Sequence, residues 1–485
     1  VINGCPTDLP IALGVLLCDS KDLLGYTFDF GITCSYDEVL RFKRSSAVDA
    51  ACDDGTKGIL KPQGGLIQVI VDNYDADINS LNGKKSTHAM AMIVTQPECA
   101  NHPEDAVTRK TVTIPRLSKQ EMEKPIDNYE VGDEEDTMEY VCEKNPPMPD
   151  SPQVRNDEFY ATGQTSEARA AELDFQFLSD VIANDNIPEY LGYNTRVCRK
   201  QGHTIQPKTK VVYLPLIDLP PAEHSTMMKT MLKAKRITEA AGQPYVVMTA
   251  DQQLYRVAVD ILWDNPGVFG NMNLRLGGMH LLMSYVGSIG TLMQETGLEE
   301  VLSAAFGGVK KMLIGKTFPD NVRALRMMVE ELLRPIFNEN SEISNMDDLL
   351  HTLEERSRES RTARMWLMCI IKPVFAIMKY VRAERESDFA LHITIVKEMI
   401  PLFFAAGHFN YARYGLYYLR SMEHLPDEVK EHFMQGEHTM HHIPGIFNGI
   451  WSDMAIETTY MRHGHGKSGI IGLTLNFVLT ATHPN

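Results

Sequence analysis

No apolar run in the 485 residues approaches the roughly 20 needed to span a bilayer, so no membrane anchor is expected. The opening stretch, VINGCPTDLPIALGVLLCDS, also lacks the basic leader of a secretory signal, and an intracellular protein of nucleus or cytoplasm is the expectation. The eight cysteines include no C-x-x-C pair, which argues against a zinc finger or a disulfide scaffold and for reduced thiols. No nucleophile elbow is found, and GGVKKML lacks the leading glycine and the Ser or Thr of a phosphate-binding loop. Cations are in deficit: 47 Lys and Arg against 64 Asp and Glu give a net charge of −17. Any phosphate contact must therefore come from local basic clusters rather than from the surface as a whole.

What the chain does have is a 44% hydrophobic fraction and enough length for a large core with insertions. It opens on Val1 rather than Met, which fits a segment of a longer protein. Residues 1–60 read as helical, with Ser35 and Glu38 spaced as a capping box. The stretch 61–115 reads as strands. GLIQVIVDNYDAD is a near-continuous apolar strand delivering Asp72, Asp75 and Asp77, and THAMAMIVTQ is its partner beyond an Asn82-Gly83 turn. TRKTVTIPRL is a third candidate strand. Residues 116–205 are acidic and Pro-rich and read as an insertion carrying one helix, Ser166–Ile182.

Strands return over 206–266. VVYLPLIDLPP precedes a helix at Ser225–Ala241, and Tyr245–Met248 runs into a second helix. Thr249 and Gln252 are spaced as a capping box, placing Asp251 in that helix's first turn. Residues 267–440 are Met-rich at helical spacing and read as a helical domain, with His280 on an apolar face. Residues 441–485 hold one short helix, GIWSDMAIETTYM, ended by a Gly-rich turn. Strand–helix–strand order with acids at strand ends predicts an α/β protein with a mixed sheet.

Three acids far apart in sequence could converge: Asp72, Asp251 and Glu457. A carboxylate triad of this kind can hold two divalent cations, and hard oxygen ligands favour Mg²⁺ or Mn²⁺ over zinc. Asp453 lies one helical turn before Glu457 and competes with it as the third ligand. DADINSLNG imitates a calcium loop but has Ser80 where glycine is required and Ser86 at the closing acid. His438, His441 and His442, with His463 and His465, flank the last helix. With no nearby cysteine they read as turn bonds or phosphate contacts rather than a structural zinc site. Lys229, Lys233, Lys235 and Arg236 cluster before Asp251, and Arg356, Arg358, Arg361 and Arg364 lie on what reads as one long helix. Both clusters are candidates to track a phosphate backbone.

Four blocks, NYDADINSLNGKKSTHAMAM, RLGGMHLLMSYVGSIG, AAGHFNYARYGLYYLRSM and GIWSDMAIETTYMRHGHGKSGIIGLTLN, together resemble a group of transposon-associated proteins of invertebrate genomes. The resemblance implies an RNase H-like core interrupted by a long helical insertion, similar to that of cut-and-paste transposases with a D-D-E triad. It implies that Asp72 closes the first core strand, that Asp251 follows a later one, and that Glu457 is the third ligand. The implied activity is Mg²⁺-dependent cleavage and strand transfer on DNA at transposon ends, with a homo-oligomer as a further expectation. The alternative is a catalytically inactive, transposon-derived scaffold or DNA-binding protein acting through its helical domain.

Overall fold

The computed structural model describes residues 21–30, 32–39, 41, 65–78, 85–98, 118, 157–183 and, apart from positions 215, 218, 317 and 341, 205–458. The third candidate strand, the Asn82-Gly83 turn, most of the acidic insertion, His463, His465 and the Gly-rich turn lie outside them.

In chain order the principal elements are helix α1 (Lys21–Asp29), strands β1 (Gln68–Ile78) and β2 (Lys85–Pro97), and helix α2 (Asp157–Ala183). Next come β3 (Thr209–Tyr213), α3 (His224–Ala240), β4 (Val246–Ala250), α4 (Gln252–Asp264) and β5 (Met272–Leu276). The rest is helical: α5 (Gly278–Leu292), α6 (Phe318–Glu339), α7 (Met346–Arg358), α8 (Arg361–Trp366), α9 (Lys372–Glu386), α10 (Phe389–Ala405), α11 (Phe409–Glu423), α12 (Asp427–Met434) and α13 (Ser452–Ile456). This is a mixed α/β chain with a small sheet and predominantly helical content. Among the described residues no helix is long and apolar enough to cross a membrane. Two units are distinguished: residues 1–146, 210–273 and 453–485 form one, and 147–209 with 274–452 form the other.

The first unit is built on the sheet, whose strand order is β3-β2-β1-β4-β5. β1 pairs antiparallel with β2 from Gln68↔Thr95 to Ile78↔Lys85, and parallel with β4 at Val69↔Met248 and Ile70↔Thr249. Burial explains the unbroken apolar pattern: Leu66 through Asp72 and Ala89 through Val94 are all buried, as is every residue of β4. A strand covered on both faces has no need of alternation. The parallel ladder is short, and Gln243 extends it. Its side chain accepts from the Ile67 amide at 2.9 Å and donates to the Ile67 carbonyl at 3.0 Å, copying a bridge between strands.

Two expectations need correction here. β1 does not end at Asp72 but runs on to Ile78, because β2 keeps supplying hydrogen-bond partners after β4 has stopped. The helix after β4 is capped by Asp251 itself, not by Thr249: Asp251 Oδ1 accepts from the Leu254 amide at 2.8 Å and the helix begins at Gln252. A Ser, Thr, Asp or Asn at either position could have served, and the strand's last pair at Thr249 leaves Asp251 the first residue able to adopt cap geometry. The earlier Ser35 cap is present, with the Glu38 amide 3.3 Å from Ser35 Oγ.

The second unit is a helical assembly around α10, whose buried face includes Phe389, His392, Val396, Met399 and Phe403. Tyr285 of α5 meets Phe403 edge-on at 5.6 Å, and Tyr380 of α9 stacks on Trp451 at 5.6 Å. Helices approach closely where glycine permits. A Cβ on Gly290 would lie 2.1 Å from the Leu313 carbonyl oxygen. The Met stripes are core, as their helical spacing implied: Met279, Met293, Met328, Met378 and Met422 are all buried. His280, expected in a core, is half-buried in the first turn of α5. The arginine-bearing stretch expected as one helix is broken: α7 ends at Arg358, Ser360 caps α8 by accepting from the Ala363 amide, and a π-helical turn at Leu367–Ile371 leads into α9. Pro373, at the start of α9, cannot donate to a helical ladder, which fits the irregular turn before it.

Candidate metal centre

Within the first unit, β1 and the segment after α13 bring two of the three expected acids together. A carboxylate oxygen of Asp72 and one of Glu457 lie within 4.8 Å of each other. Asp72 is 4% exposed, and its Oδ1 accepts from the Asn73 amide at 2.8 Å, which fixes the rotamer. Glu457 is half-buried. Two oxygens on one octahedral Mg²⁺ at 2.0–2.1 Å stand about 3 Å apart if adjacent and about 4 Å apart if opposite. The observed approach is compatible with that span, and these two carboxylates offer the kind of oxygen donors a hard cation prefers.

Asp251 occupies the neighbouring strand end. Ile70 pairs with Thr249 in the parallel register, and Asp251 follows directly on the end of β4, two residues beyond Thr249, as Asp72 lies two beyond Ile70 in β1. The Asp251 oxygens nevertheless do not come within 4.8 Å of both other acids. One of them caps α4 instead. Asp453, in the first turn of α13, is 1% exposed, and its Oδ1 accepts from the Met454 amide at 3.1 Å.

The expected phosphate-tracking residues fare differently. Lys229, Lys233 and Arg236 share one stripe of α3, with Arg236 exposed and the two lysines half-buried. Lys235 is turned away, donating to the Val268 carbonyl at 2.8 Å. In the second unit, Arg356 is paired with Glu339 at 2.8 Å and Arg358 lies 3.7 Å from Glu355, while Arg361 and Arg364 are exposed on α8. Exposed pairs of this kind contribute little to stability but do neutralise a phosphate-seeking group.

His441 in the second unit is held by a network of side-chain hydrogen bonds. His441 Nδ1 donates to Asn448 Oδ1 at 2.9 Å, an orientation fixed because the Asn448 amide donates to the Ile443 carbonyl at 2.7 Å. His441 Nε2 faces Ser387 Oγ at 3.1 Å and Thr439 Oγ1 at 3.2 Å. Ser, His and Asn here copy the connectivity of a hydrolytic triad. The surroundings exclude a substrate: Ser387 is 6% exposed, Thr439 is 2.6 Å from its hydroxyl, and a Cβ on Gly436 would sit 2.8 Å from the Ser387 Cβ. Burial pushes His441 and His442 below the ordinary histidine range, so both are neutral at pH 7. A cleft of about 700 Å³ in the same unit is lined by Glu167, Glu172, Asp347 and Glu398. Its Lys379 is pulled down by burial, but Glu398 and Glu167, at 2.8 and 2.7 Å, outweigh this and hold it charged and engaged.

Two overlapping stretches, 189–353 and 336–482, match a domain of unknown function, DUF8702, and together they cover more than half of the chain. The chain belongs to the DUF8702 family. Its matched region takes in β3 through α13 together with Asp251 and Glu457, whereas β1 and Asp72 precede it. No curated protein and no solved structure matches this DUF8702 chain.

Proposed function

We propose that the protein is a transposase-like enzyme with an RNase H-like core, acting on the phosphodiester backbone of DNA with Mg²⁺ or Mn²⁺. The observation that carries this reading is the approach of Asp72 to Glu457 within 4.8 Å, from positions 385 residues apart, beside the strand end that bears Asp251. Support for the core comes from the sheet: a long antiparallel hairpin whose first strand carries one acid, followed by a parallel strand with a second acid just past its end.

In this reading Asp72 and Glu457 hold the cation, and Asp251 joins by releasing its cap or by using its other oxygen. The cation, when bound, supplies charge stabilisation for the pentacoordinate phosphorus and lowers the pKa of the attacking water or 3′-hydroxyl. The attacking oxygen bonds to phosphorus as the bond to the leaving sugar oxygen breaks. Burial of Asp72 keeps the local dielectric low, so its negative charge acts strongly on anything cationic placed beside it. Lys229, Lys233 and Arg236 would steer the backbone by charge, with the salt dependence such contacts carry. Nicking of a supercoiled plasmid tests the reading. Mg²⁺-dependent conversion to open circles, lost in Asp72→Asn and in Glu457→Gln, is expected; equal nicking by Asp72→Asn would sink it.

A second reading, a DNA-binding or scaffold protein without cleavage, is favoured by one observation: Asp251 Oδ1 is engaged as a helix cap. Salt-dependent DNA binding without any nicking in Mg²⁺ or Mn²⁺ would select it.

A further inference from the structure

From Met399 to Met422 there is no Asp or Glu, in a chain whose net charge is −17. The same stretch carries Arg413, Arg420 and seven aromatic residues. Part of this is core. Phe403, Tyr414 and Tyr418 are buried, and Tyr418 shares a 3.0 Å hydrogen bond with His392 Nε2, which anchors α11 against α10.

The remainder faces outward. Phe409 is 65% exposed, Leu416 49% and Phe404 47%; Arg413 is exposed and Arg420 half-buried. At about 100° per residue, positions 409, 413, 416 and 420 fall within roughly 60° of arc on α11, so ring, cation, aliphatic and cation alternate along one stripe. The two guanidiniums are separated along the axis by about 10 Å. Phe404, at the end of α10, and Phe409, at the start of α11, flank the Gly407 turn, whose φ of +75° lets the two helices reverse tightly.

We infer that this stripe is a binding surface for unpaired DNA, with Phe404 and Phe409 as platforms for bases and Arg413 and Arg420 as phosphate contacts. The inference rests on the DNA-directed reading above and names a strand-holding surface that reading lacks. Charge decides the occupant: an acid-free stretch bearing two arginines, in a chain of net charge −17, is complementary to phosphate. Exposed rings decide the form of DNA. A ring gains from a base only when the base is unstacked, and such stacking tolerates any sequence. Arg413 is exposed, with its guanidinium carbon 5.6 Å from the Tyr414 ring centroid.

The test is anisotropy of a fluorescent oligodeoxythymidine strand titrated with the full 485-residue chain in EDTA, where cleavage plays no part. Double substitution R413E/R420E is expected to weaken binding by at least ~10-fold and to flatten its salt dependence. F409L, which keeps apolar volume but removes the ring, is expected to weaken it by about 5-fold. Circular dichroism and the unfolding midpoint of each variant establish that it is folded. Strand affinity unchanged in the folded variants overturns the proposal, as does weakened self-association with unchanged strand affinity, which would assign the stripe to a second copy of the chain. D72N separates the two readings. It is expected to bind the strand normally while losing nicking, so nicking retained in D72N defeats the nuclease and leaves the surface, whereas normal strand binding by R413E/R420E defeats the surface and leaves the nuclease.

Discussion

Asp72 in the first unit and Asp174 in the second are almost equally buried, at 4% and 2% exposure, yet their surroundings are opposite in kind. Asp174 meets the guanidinium of Arg382, itself fully buried, and Arg382 also reaches Glu386 at 3.1 Å. Glu384 likewise meets His392. Asp72 instead has a second carboxylate oxygen, that of Glu457, within 4.8 Å. The helical unit thus gives its buried acids a guanidinium or an imidazole as partner, which keeps a polar interior satisfied. The sheet instead places a second carboxylate near Asp72, an arrangement that a divalent cation would stabilise. Departures from local consistency of this second kind are where function is expected.

The sharpest way to break this contrast is to remove the matching cation. Arg382→Met would leave Asp174 buried without its guanidinium, while Glu386 keeps Arg169, and a loss of about 3–5 kcal/mol is expected in urea unfolding. A loss below about 1 kcal/mol would mean that the pairing is not what holds α9 against α2. Packing offers an independent measure of the same unit's tightness. Gly315 has φ of +82°, and a Cβ there would lie 2.1 Å from the Met283 carbonyl oxygen. Gly315→Ala is therefore expected to cost about 1–3 kcal/mol, from left-handed strain and overpacking together. An unchanged urea midpoint would refute that close approach.

The first unit should answer in the opposite sense. In EDTA, Asp72→Asn is expected to raise the thermal midpoint, because it removes one of two crowded carboxylates. Magnesium at 100 times its Kd should stabilise the wild-type protein by about 2.7 kcal/mol and the variant hardly at all. Equal Mg²⁺ shifts in both proteins would separate the acids from metal binding, whatever the nicking assay shows.

Titration sharpens the contrast within the helical unit. His438 is pushed well below the ordinary value of 6.5, first by burial and then by the charge of Arg275, and burial lowers His441 as well. Where the folded pKa is depressed, the unfolded chain takes up protons first, so stability is complete above pH 6.5 and falls as pH drops below it. His432 runs the other way. Its bond to Glu437 outweighs burial and raises it, so its contribution is complete below pH 6.5 and is lost as pH rises through its folded value. Urea midpoints from pH 5 to 8 should show the acid-side fall shrinking in His441→Asn, while His432→Asn removes a gain on the acid side. Parallel curves for both variants and wild type would contradict these assignments.

Much of this was readable from residue order, for reasons that vary by element. β1, β2 and the helices α3 and α4 announce themselves because burial on one or both faces dictates their apolar periodicity. The pairing of Asp72 with Glu457 is invisible to spacing, since it is made by strand register and by the return of the chain at α13. Resemblance, not periodicity, singled out Glu457 over Asp453. Breaks such as Glu359–Ser360 were missed because Arg and Glu on either side are good helix formers and the cap itself is a single serine. The Phe409–Arg413–Leu416–Arg420 stripe was hidden for another reason. Its apolar residues look like core until exposure shows which of them face outward.

The smallest expected effect is also the one that decides between the two readings of the first unit. Asp251 has two conceivable duties, capping α4 through Oδ1 and completing an oxygen cluster with Asp72. Asparagine caps a helix about as well as aspartate but carries no charge for a cation, whereas alanine does neither. Asp251→Asn is therefore expected to keep stability within about 0.5 kcal/mol of wild type, and Asp251→Ala to lose about 1 kcal/mol. If Asp251 also serves the cation, both variants lose the Mg²⁺-induced thermal shift, including the one that still caps. If Asp251→Asn keeps that shift in full, the residue is a cap alone, the oxygen cluster has only Asp72 and Glu457 from this unit, and the binding protein without cleavage becomes the better account.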